Sequence, residues 1–377
     1  MPNTLTQLSP ILFSAAAKVA REPHGMIDSI TTDFNSMGVA KGDVVRVPVA
    51  PPLASADFIP SNIPPQGGDT TAGTVPVTID YSKKTSWYLT GEQQRSLENS
   101  DTYTDWVTQL VSQGMRTLIN GMESYAVTQA VQGASRGTGT PGVTPFSSNI
   151  SCLADLRKIL VDNGCPMSDV GLVLQTAAGA NLRKQGIFQF AYQAGNDEQL
   201  RSGTFLPTMG MNLRESAGIN SWTSSADSTA YTLNGAAVVG QTSIAIQGGS
   251  GALQNGDLIT FSDNTSSVYV IGPGSTSTTL CLGLPGLKEA HNTGATVTNL
   301  GNYTPNIALE RSSTVAVVRP PMIPVNPTIQ QLLITDDQSG LTFLMLDIAQ
   351  YGQRSWELHL AYGVKSVNPY AIALLIS

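Results

Sequence analysis

Between Asp101 and about Gln132, apolar side chains recur at gaps of three and four: Tyr103, Trp106, Val107, Leu110, Val111, Met115, Leu118, Ile119, Met122 and Ala126. That is the period of one helix face. Asp105, Gln109, Ser112, Arg116, Asn120 and Glu123 repeat at the same spacing and fall to the opposite, polar side. Ser100 or Asp101 can cap the start, and Gly133-Ala-Ser-Arg-Gly137 ends the pattern. At 1.5 Å per residue such a helix is about 45–50 Å long, more than the diameter of a small domain. The pattern therefore predicts a spine that crosses the subunit and carries other elements on one side; a core helix of an ordinary enzyme is the simpler alternative. Gly114 and Gly121 lie inside it, each costing about 1 kcal/mol relative to Ala, and mark it for a bend or a close backbone approach.

Before the spine, Ser9-Pro10 opens a short helix (Ile11, Leu12, Ala15, Ala16, Val19) that Pro23 stops, and Met26, Ile27, Ile30 and Phe34 suggest a second. Alone, both bury too little and need something to lie on. Lys41 to Pro48 reads as a turn and a strand, and Val75 to Tyr81 as a strand continued by Thr85 to Leu89. Ala50 to Gly73 between them is dense in Pro and Gly, so the whole reads as an extended hairpin reaching a neighbour, with disorder as the alternative. After the spine come a Gly/Pro/Ser/Thr loop (Arg136–Ser148), a helix (Ser151–Asp162), a buried strand (Gly171–Leu174), a helix (Ala177–Gln185) and strands near Met209–Leu213. From Thr223 to about Tyr303 the composition shifts: Lys288 is the only Lys or Arg, and short alternating runs are separated by Asn-Gly, Gly-Gly and Pro-Gly turns. Many short strands with such turns predict a small β-barrel or β-sandwich, inserted because α+β sequence resumes after it. Strands at Thr314–Val318, Leu341–Leu346, Trp356–Val364 and Ala371–Ile376, with helical spacing at Pro327–Leu333, complete an α+β chain.

Composition sharpens this picture. Only 12% of the 377 residues are charged, against 36 Gly and 22 Pro. A subunit that hides neutral surface against neighbours tolerates this, since interface cores are depleted of charge, although an unusually neutral monomer fits composition equally well. The net charge of −7, with no Lys/Arg block, speaks against tight nonspecific nucleic-acid binding. No signal-peptide pattern opens the sequence and no apolar run approaches the ~20 residues needed to span a bilayer, so no membrane partner is expected. Cys152, Cys165 and Cys281 fit free thiols in a reducing cytosol, and three Asn-X-Ser/Thr matches carry no weight without secretion.

The search for chemistry finds no catalytic, metal or cofactor site. His24, His291 and His359 each stand alone. Gly137-Thr-Gly139-Thr-Pro-Gly142 satisfies G-x-G-x-x-G, but it follows a helix instead of a strand and Pro141 sits where a phosphate-binding helix would begin. Asp336-Asp337 before Gln338-Ser-Gly340 is turn chemistry, and Lys83-Lys84 beside Trp87-Tyr88 reads as a solvated strand edge.

The order of parts resembles the major capsid proteins of tailed bacteriophages, whose Hong Kong-type fold recurs in encapsulins and herpesvirus shells. It is most similar to the coat proteins of short-tailed lambdoid phages, which carry an inserted β-rich domain longer than the one here. The residues that carry the resemblance are Lys41 to Pro48, Asp69-Thr-Thr with Val75 to Asp80, Asp162 to Pro166 with Leu172 to Leu174, and Arg201 to Gly203 with Gly210 to Ser216. The resemblance implies an N-terminal arm (1–40), an extended hairpin loop and peripheral strands (41–90), a spine helix (91–135), an axial α+β domain (136–222), an inserted domain (223–303) and closing strands (304–377). It implies no enzyme but a structural protein forming hexamers and pentamers around double-stranded DNA held by nonspecific contact. A scaffolding protein, a portal protein, expansion on packaging and room for a decoration protein go with it, in a virion assembled in a bacterial cytoplasm. Phe58, Ile59, Asp69, Lys83 and Lys84 are the expected intersubunit contacts, and Gly114 and Gly121 the expected spine hinge. The competing class is an enzyme, or a ligand- or carbohydrate-binding protein, that uses the β-rich segment 223–303.

Overall fold

A computed structural model describes residues 22–35, 37–50, 55, 57–58, 60, 73–99, 103–189, 201–225, 231–249, 253–324 and 329–377. In chain order the elements begin with helix α1 (Gly25–Ser29), strands β1 (Thr31–Phe34), β2 (Val44–Val49), β3 (Gly73–Thr78) and β4 (Tyr81–Thr90). Helices α2 (Gly91–Asn99) and α3 (Tyr103–Gln132) follow, then β5 (Arg136–Gly139), α4 (Ser151–Asp162), β6 (Val170–Gln175), α5 (Thr176–Arg183), α6 (Gly186–Gln189) and β7 (Met211–Ser216). The β-rich segment supplies β8 (Tyr231–Leu233), β9 (Ser243–Gln247), β10 (Leu258–Phe261), β11 (Asn264–Val270), β12 (Thr279–Cys281) and β13 (Thr296–Asn299). The chain closes with β14 (Pro305–Glu310), β15 (Thr314–Arg319), β16 (Ile329–Thr335), β17 (Thr342–Gln350), β18 (Gln353–Ser366) and β19 (Ile372–Ile376).

Among the described residues the strands form three sheets. The first is organised on β18. Ala361 pairs with both Ser82 of β4 and Arg319 of β15, and the first half of β18 pairs with both β4 and β17. Strands β15 and β17 therefore lie end to end along one side of β18, with β4 along the other; β1 flanks β15 and β16 flanks β17. The spine α3 lies over this sheet. Val107, Val111, Met115 and Met122 have no exposure and share a core with Phe343, Met345, Trp356, Leu358 and Leu360. Each such side chain contributes roughly 1.5–3 kcal/mol on burial, so the helix is held by its apolar stripe more than by propensity.

The second sheet runs β12-β9-β8-β13-β10-β11-β5-β19-β14-β6-β7. A bridge between Ile271 and Leu282, with Gly272 N donating to Cys281 O at 2.8 Å, returns the end of β11 to β12. Strands β8 to β13 thus close into a small barrel with its own core of Tyr231, Ile246, Ile259, Phe261, Tyr269 and Leu280. The barrel is not strung on a linker: β11 pairs with β5 (Val268↔Gly137, Tyr269↔Arg136). The apolar C-terminus is docked as β19, parallel to β5 and antiparallel to β14.

Several expectations need correction. The helical pattern through Phe34 stops at Ser29; Ile30 is extended, and Thr31–Phe34 pair parallel with Val315–Val318, a strand alignment that suits two β-branched threonines. The helical spacing expected at Pro327–Leu333 gives way, from Ile329 on, to β16, where seven consecutive pairs with β17 override a local period; Pro327 and Thr328 lie outside the described residues. The loop expected from Arg136 begins as β5. Its Gly139 has φ +115°, and a Cβ there would sit 2.5 Å from Ile376 O, so these glycines permit close strand approach, not phosphate binding. The strand expected to run from Val75 through Leu89 breaks at Ile79–Asp80, and α2 had no counterpart in the pattern. Ser112 and Glu123, assigned to the polar side of the spine, are buried. The helix expected at Ser9-Pro10 and most of Ala50–Gly73 lie outside the described residues.

Candidate assembly surfaces and the arm junction

The chain ahead of β1 is fixed to the spine by two carboxylates. Glu123, 1% exposed, accepts hydrogen bonds from Met26 N (2.8 Å), Ile27 N (2.9 Å) and Ser216 Oγ (2.6 Å). It joins three parts that are distant in sequence: the arm helix α1, the spine and β7. Burial pushes its pKa up, and the three donors hold it down; the net direction is upward. One to two turns earlier on the spine, Arg116 Nε donates to Glu22 Oε2 at 2.6 Å, its Nη2 donates to Oε1, and Asn120 Nδ2 donates to Oε2 at 3.0 Å. The Arg116 hydrogen bond, then that of Asn120, holds Glu22 down at about 2. Between them, Met26, Ile27 and Ile30 insert into the main core at 0–3% exposure. The short α1 would not persist in water; the carboxylate on its first amides and these three side chains make it.

The β2–β3 hairpin leaves the body at the corner of the first sheet. Val77 and Ile79 are buried against Val317 and Ala361, with Val45 and Val47 packed beside them, while Val44, Arg46 and Pro48 face outward. Of the expected contact residues, Phe58 is 86% exposed, and Ile59 and Asp69 lie outside the described residues. Lys83 and Lys84 lie on β4. Lys83 Nζ stands 5.1 Å from the Tyr81 ring centroid, and Lys84 Nζ donates to Glu357 Oε1 of β18 at 2.7 Å. The two groups of candidates are therefore not brought together by the described part of the chain.

Gly114 and Gly121, one heptad apart, do not share an environment. A Cβ on Gly114 would sit 2.9 Å from Thr85 Oγ1 and 3.5 Å from the Trp87 ring, so its absence lets the spine approach β4. On Gly121, which is exposed, the nearest atom is Tyr362 Oη at 3.7 Å.

Sequence reasoning missed Glu22 and Glu123. The available signal for Glu123 was the widening of the apolar stripe at Ile119, Met122, Ala126 and Val127, which flank it on both sides. Among the described residues no group of three or more His, Cys, Asp or Glu side chains could hold a metal ion. Asp336 shapes the β16–β17 turn, accepting from Ser339 N at 3.0 Å and Ser339 Oγ at 2.6 Å. No helix among the described residues is long and apolar enough to cross a membrane.

No protein-family model matches the sequence, and no curated protein is detectably similar to it. Solved structures match nearly end to end. The capsid structure of cyanophage P-SCSP1u aligns at 11% identity over 95% of this chain and 89% of its own, with a TM-score of 0.52. A chain of Mycobacterium phage Che8 aligns at 12% identity over 89% of this chain and 85% of its own, with a TM-score of 0.46. The virus-like particle from Pyrococcus furiosus aligns at 12% identity over 98% of both chains, with a TM-score of 0.45. The fold is α+β and of the Hong Kong capsid type, with the spine helix lying on one sheet and a small barrel continuing the other.

Proposed function

We propose that the chain is a major capsid protein, a structural subunit that assembles with copies of itself into the shell of a tailed bacteriophage. The observation that carries this reading is the end-to-end match of its fold to the cyanophage capsid subunit. The β2–β3 hairpin, rooted in the body and carrying an exposed Phe58, supports it, because such a limb is stabilised by what it meets on another subunit. The parts are then an arm (1–40), a hairpin loop with peripheral strands (41–90), a spine (91–135), an axial domain (136–222), an inserted domain (223–303) and closing strands (304–377). Hexamers and pentamers, a scaffolding protein, a portal protein, nonspecifically held double-stranded DNA and a decoration protein are the partners this role proposes, in a virion assembled in the host cytoplasm. The role is not enzymatic. The competing ligand-binding or enzymatic reading of the barrel gains no support from the comparisons.

Electron microscopy and sedimentation of the purified chain test the reading: closed shells, or rings of five and six, are expected, and a stable monomer under all assembly conditions refutes it. Deletion of Ser55 to Thr70 is expected to leave a folded subunit that forms no closed shells; normal particles from that deletion would remove the hairpin from the interface.

A further inference from the structure

An open strand edge is a template for another strand, and proteins blunt such edges unless they use them. Among the described residues this chain blunts nearly all of its own. Strand β1 is four residues long, with Asp33 held by Arg319. Strand β4 carries Lys83 and Lys84. In the hairpin, Pro76 opposes Arg46 and Pro48 opposes Thr74. Proline has no N–H, so these are non-hydrogen-bonded pairs, whose backbone groups point away from the partner strand. The two prolines therefore interrupt both outer edges of the hairpin. The end of the outer edge of β7 is met by the chain ahead of α1, where His24 bridges Ser216 and Ala217 N donates to Pro23 O at 3.0 Å. The barrel closes on itself.

Strand β16 has none of these devices. It is Ile-Gln-Gln-Leu-Leu-Ile-Thr, with no proline, no charge and no bulge in its seven pairs with β17. Leu332 and Leu333 point to opposite faces and are 38% and 42% exposed. We propose that β16 pairs with β16 of a second copy, antiparallel across a two-fold axis, so that one sheet runs through both subunits. The absence of charge favours self-pairing, since the residue on such an axis meets its own copy and its neighbours lie close to theirs, where like charges would repel. The other long described edge, β4, carries Lys83 and Lys84 and suits the neutral β16 less well as a partner.

The register follows from the ladder. Opposed residues of an antiparallel pair must both turn their backbone groups toward each other, and along β16 the outward groups alternate. A residue can then oppose only one of like parity, so the axis passes through a residue and not between two. Full overlap of Ile329–Thr335 places it at Leu332: Leu332 opposes Leu332, and Ile329 opposes Thr335. Directly opposed Cα atoms lie about 4.5–5.5 Å apart, within disulfide reach.

The proposal rests on the shell-subunit reading, which supplies many copies related by two-folds. Leu332→Cys is assembled, treated with a mild oxidant and run on a non-reducing gel beside the parent chain, which controls for the three native cysteines. Covalent dimers are expected from Leu332→Cys and from the Ile329→Cys/Thr335→Cys double variant, and not from Ile329→Cys alone. Leu333→Lys is expected to melt within a few degrees of the parent and to lose the contact, so particle yield falls. Particles that form normally from Leu332→Cys but give no dimer above the parent overturn the self-pairing while leaving the shell reading intact. So does equal dimer from Ile329→Cys. Lost assembly in Leu333→Lys without a Leu332→Cys crosslink assigns the edge to a different strand, and also overturns it. Absence of particles from the parent chain fails the shell reading instead.

Discussion

Glu123→Ala should release the arm without unfolding the body. The substitution strands three donors that now converge on one carboxylate, Met26 N, Ile27 N and Ser216 Oγ. A buried donor without a partner costs about 1–3 kcal/mol, so staying docked costs about 3 kcal/mol or more. Release costs something too, because Met26, Ile27 and Ile30 leave the core, at roughly 1.5–3 kcal/mol each. Against that stands the regained freedom of each undocked residue, about 1–2 kcal/mol of backbone entropy. The two sides are close, so a loss of about 3 kcal/mol appears as local opening and not as global melting. At 1.4 kcal/mol per tenfold, the amides of Met26, Ile27 and their helix should exchange roughly 100-fold faster. Glu123→Gln keeps the volume and one acceptor oxygen and should give a smaller acceleration. Hydrogen exchange read peptide by peptide makes the measurement, with the barrel strands as internal control. Unchanged exchange at residues 25–29 in Glu123→Ala would refute the junction; equal acceleration across the barrel would show general destabilisation instead.

Gly121→Ala should stabilise the subunit by up to about 1 kcal/mol of helix propensity, its Cβ making only an ordinary contact with Tyr362, and so raise the melting temperature, whereas Gly114→Ala should lower it by pressing on Thr85. If the spine flexes at Gly121 during maturation, Gly121→Ala particles will also stall between compact and expanded forms, visible by microscopy; normal expansion removes the hinge. The pKa of Glu22 is depressed in the folded chain, so its contribution is present above the ordinary carboxylate range and is lost as pH falls from about 4.5 toward 2. Protease sensitivity ahead of α1 should rise over that window in the parent and be pH-independent in Glu22→Gln. The excised segment 223–303 should fold, because the barrel closes on its own core; a collapsed random-coil amide spectrum would show that it needs β5.

The sequence made legible those elements whose burial follows one period. The spine stripe, the Ser151–Asp162 helix with Asn163-Gly164 at its end, and the alternating strands of the β-rich segment all have one buried side and one open side, and pattern encodes that directly. What stayed hidden depends on contacts between distant segments. Nothing local in Pro327–Leu333 distinguishes a helix from a strand; β17 decides it. Glu123 reads as polar surface because a carboxylate normally is, and only the amides of residues 26 and 27 and the hydroxyl of Ser216 permit its burial. Lys84 could be placed on an edge from its neighbours, but not paired with Glu357, 273 positions away.

Charge is scarce in this chain, and five ion pairs fall at joints between elements. Glu22–Arg116 ties arm to spine, Asp33–Arg319 ties β1 to β15, Lys84–Glu357 ties β4 to β18, Arg183–Glu215 ties α5 to β7, and Lys288–Asp162 ties the barrel to α4. Partly exposed pairs of this kind contribute about 0–1 kcal/mol each, too little to explain the fold's stability. Their value is directional: each fixes how one element sits on another, where an apolar contact alone would allow sliding. Apolar side chains such as Phe58, Leu332 and Leu333 stay exposed beside these joints, and in the proposed shell a second copy of the chain would cover them.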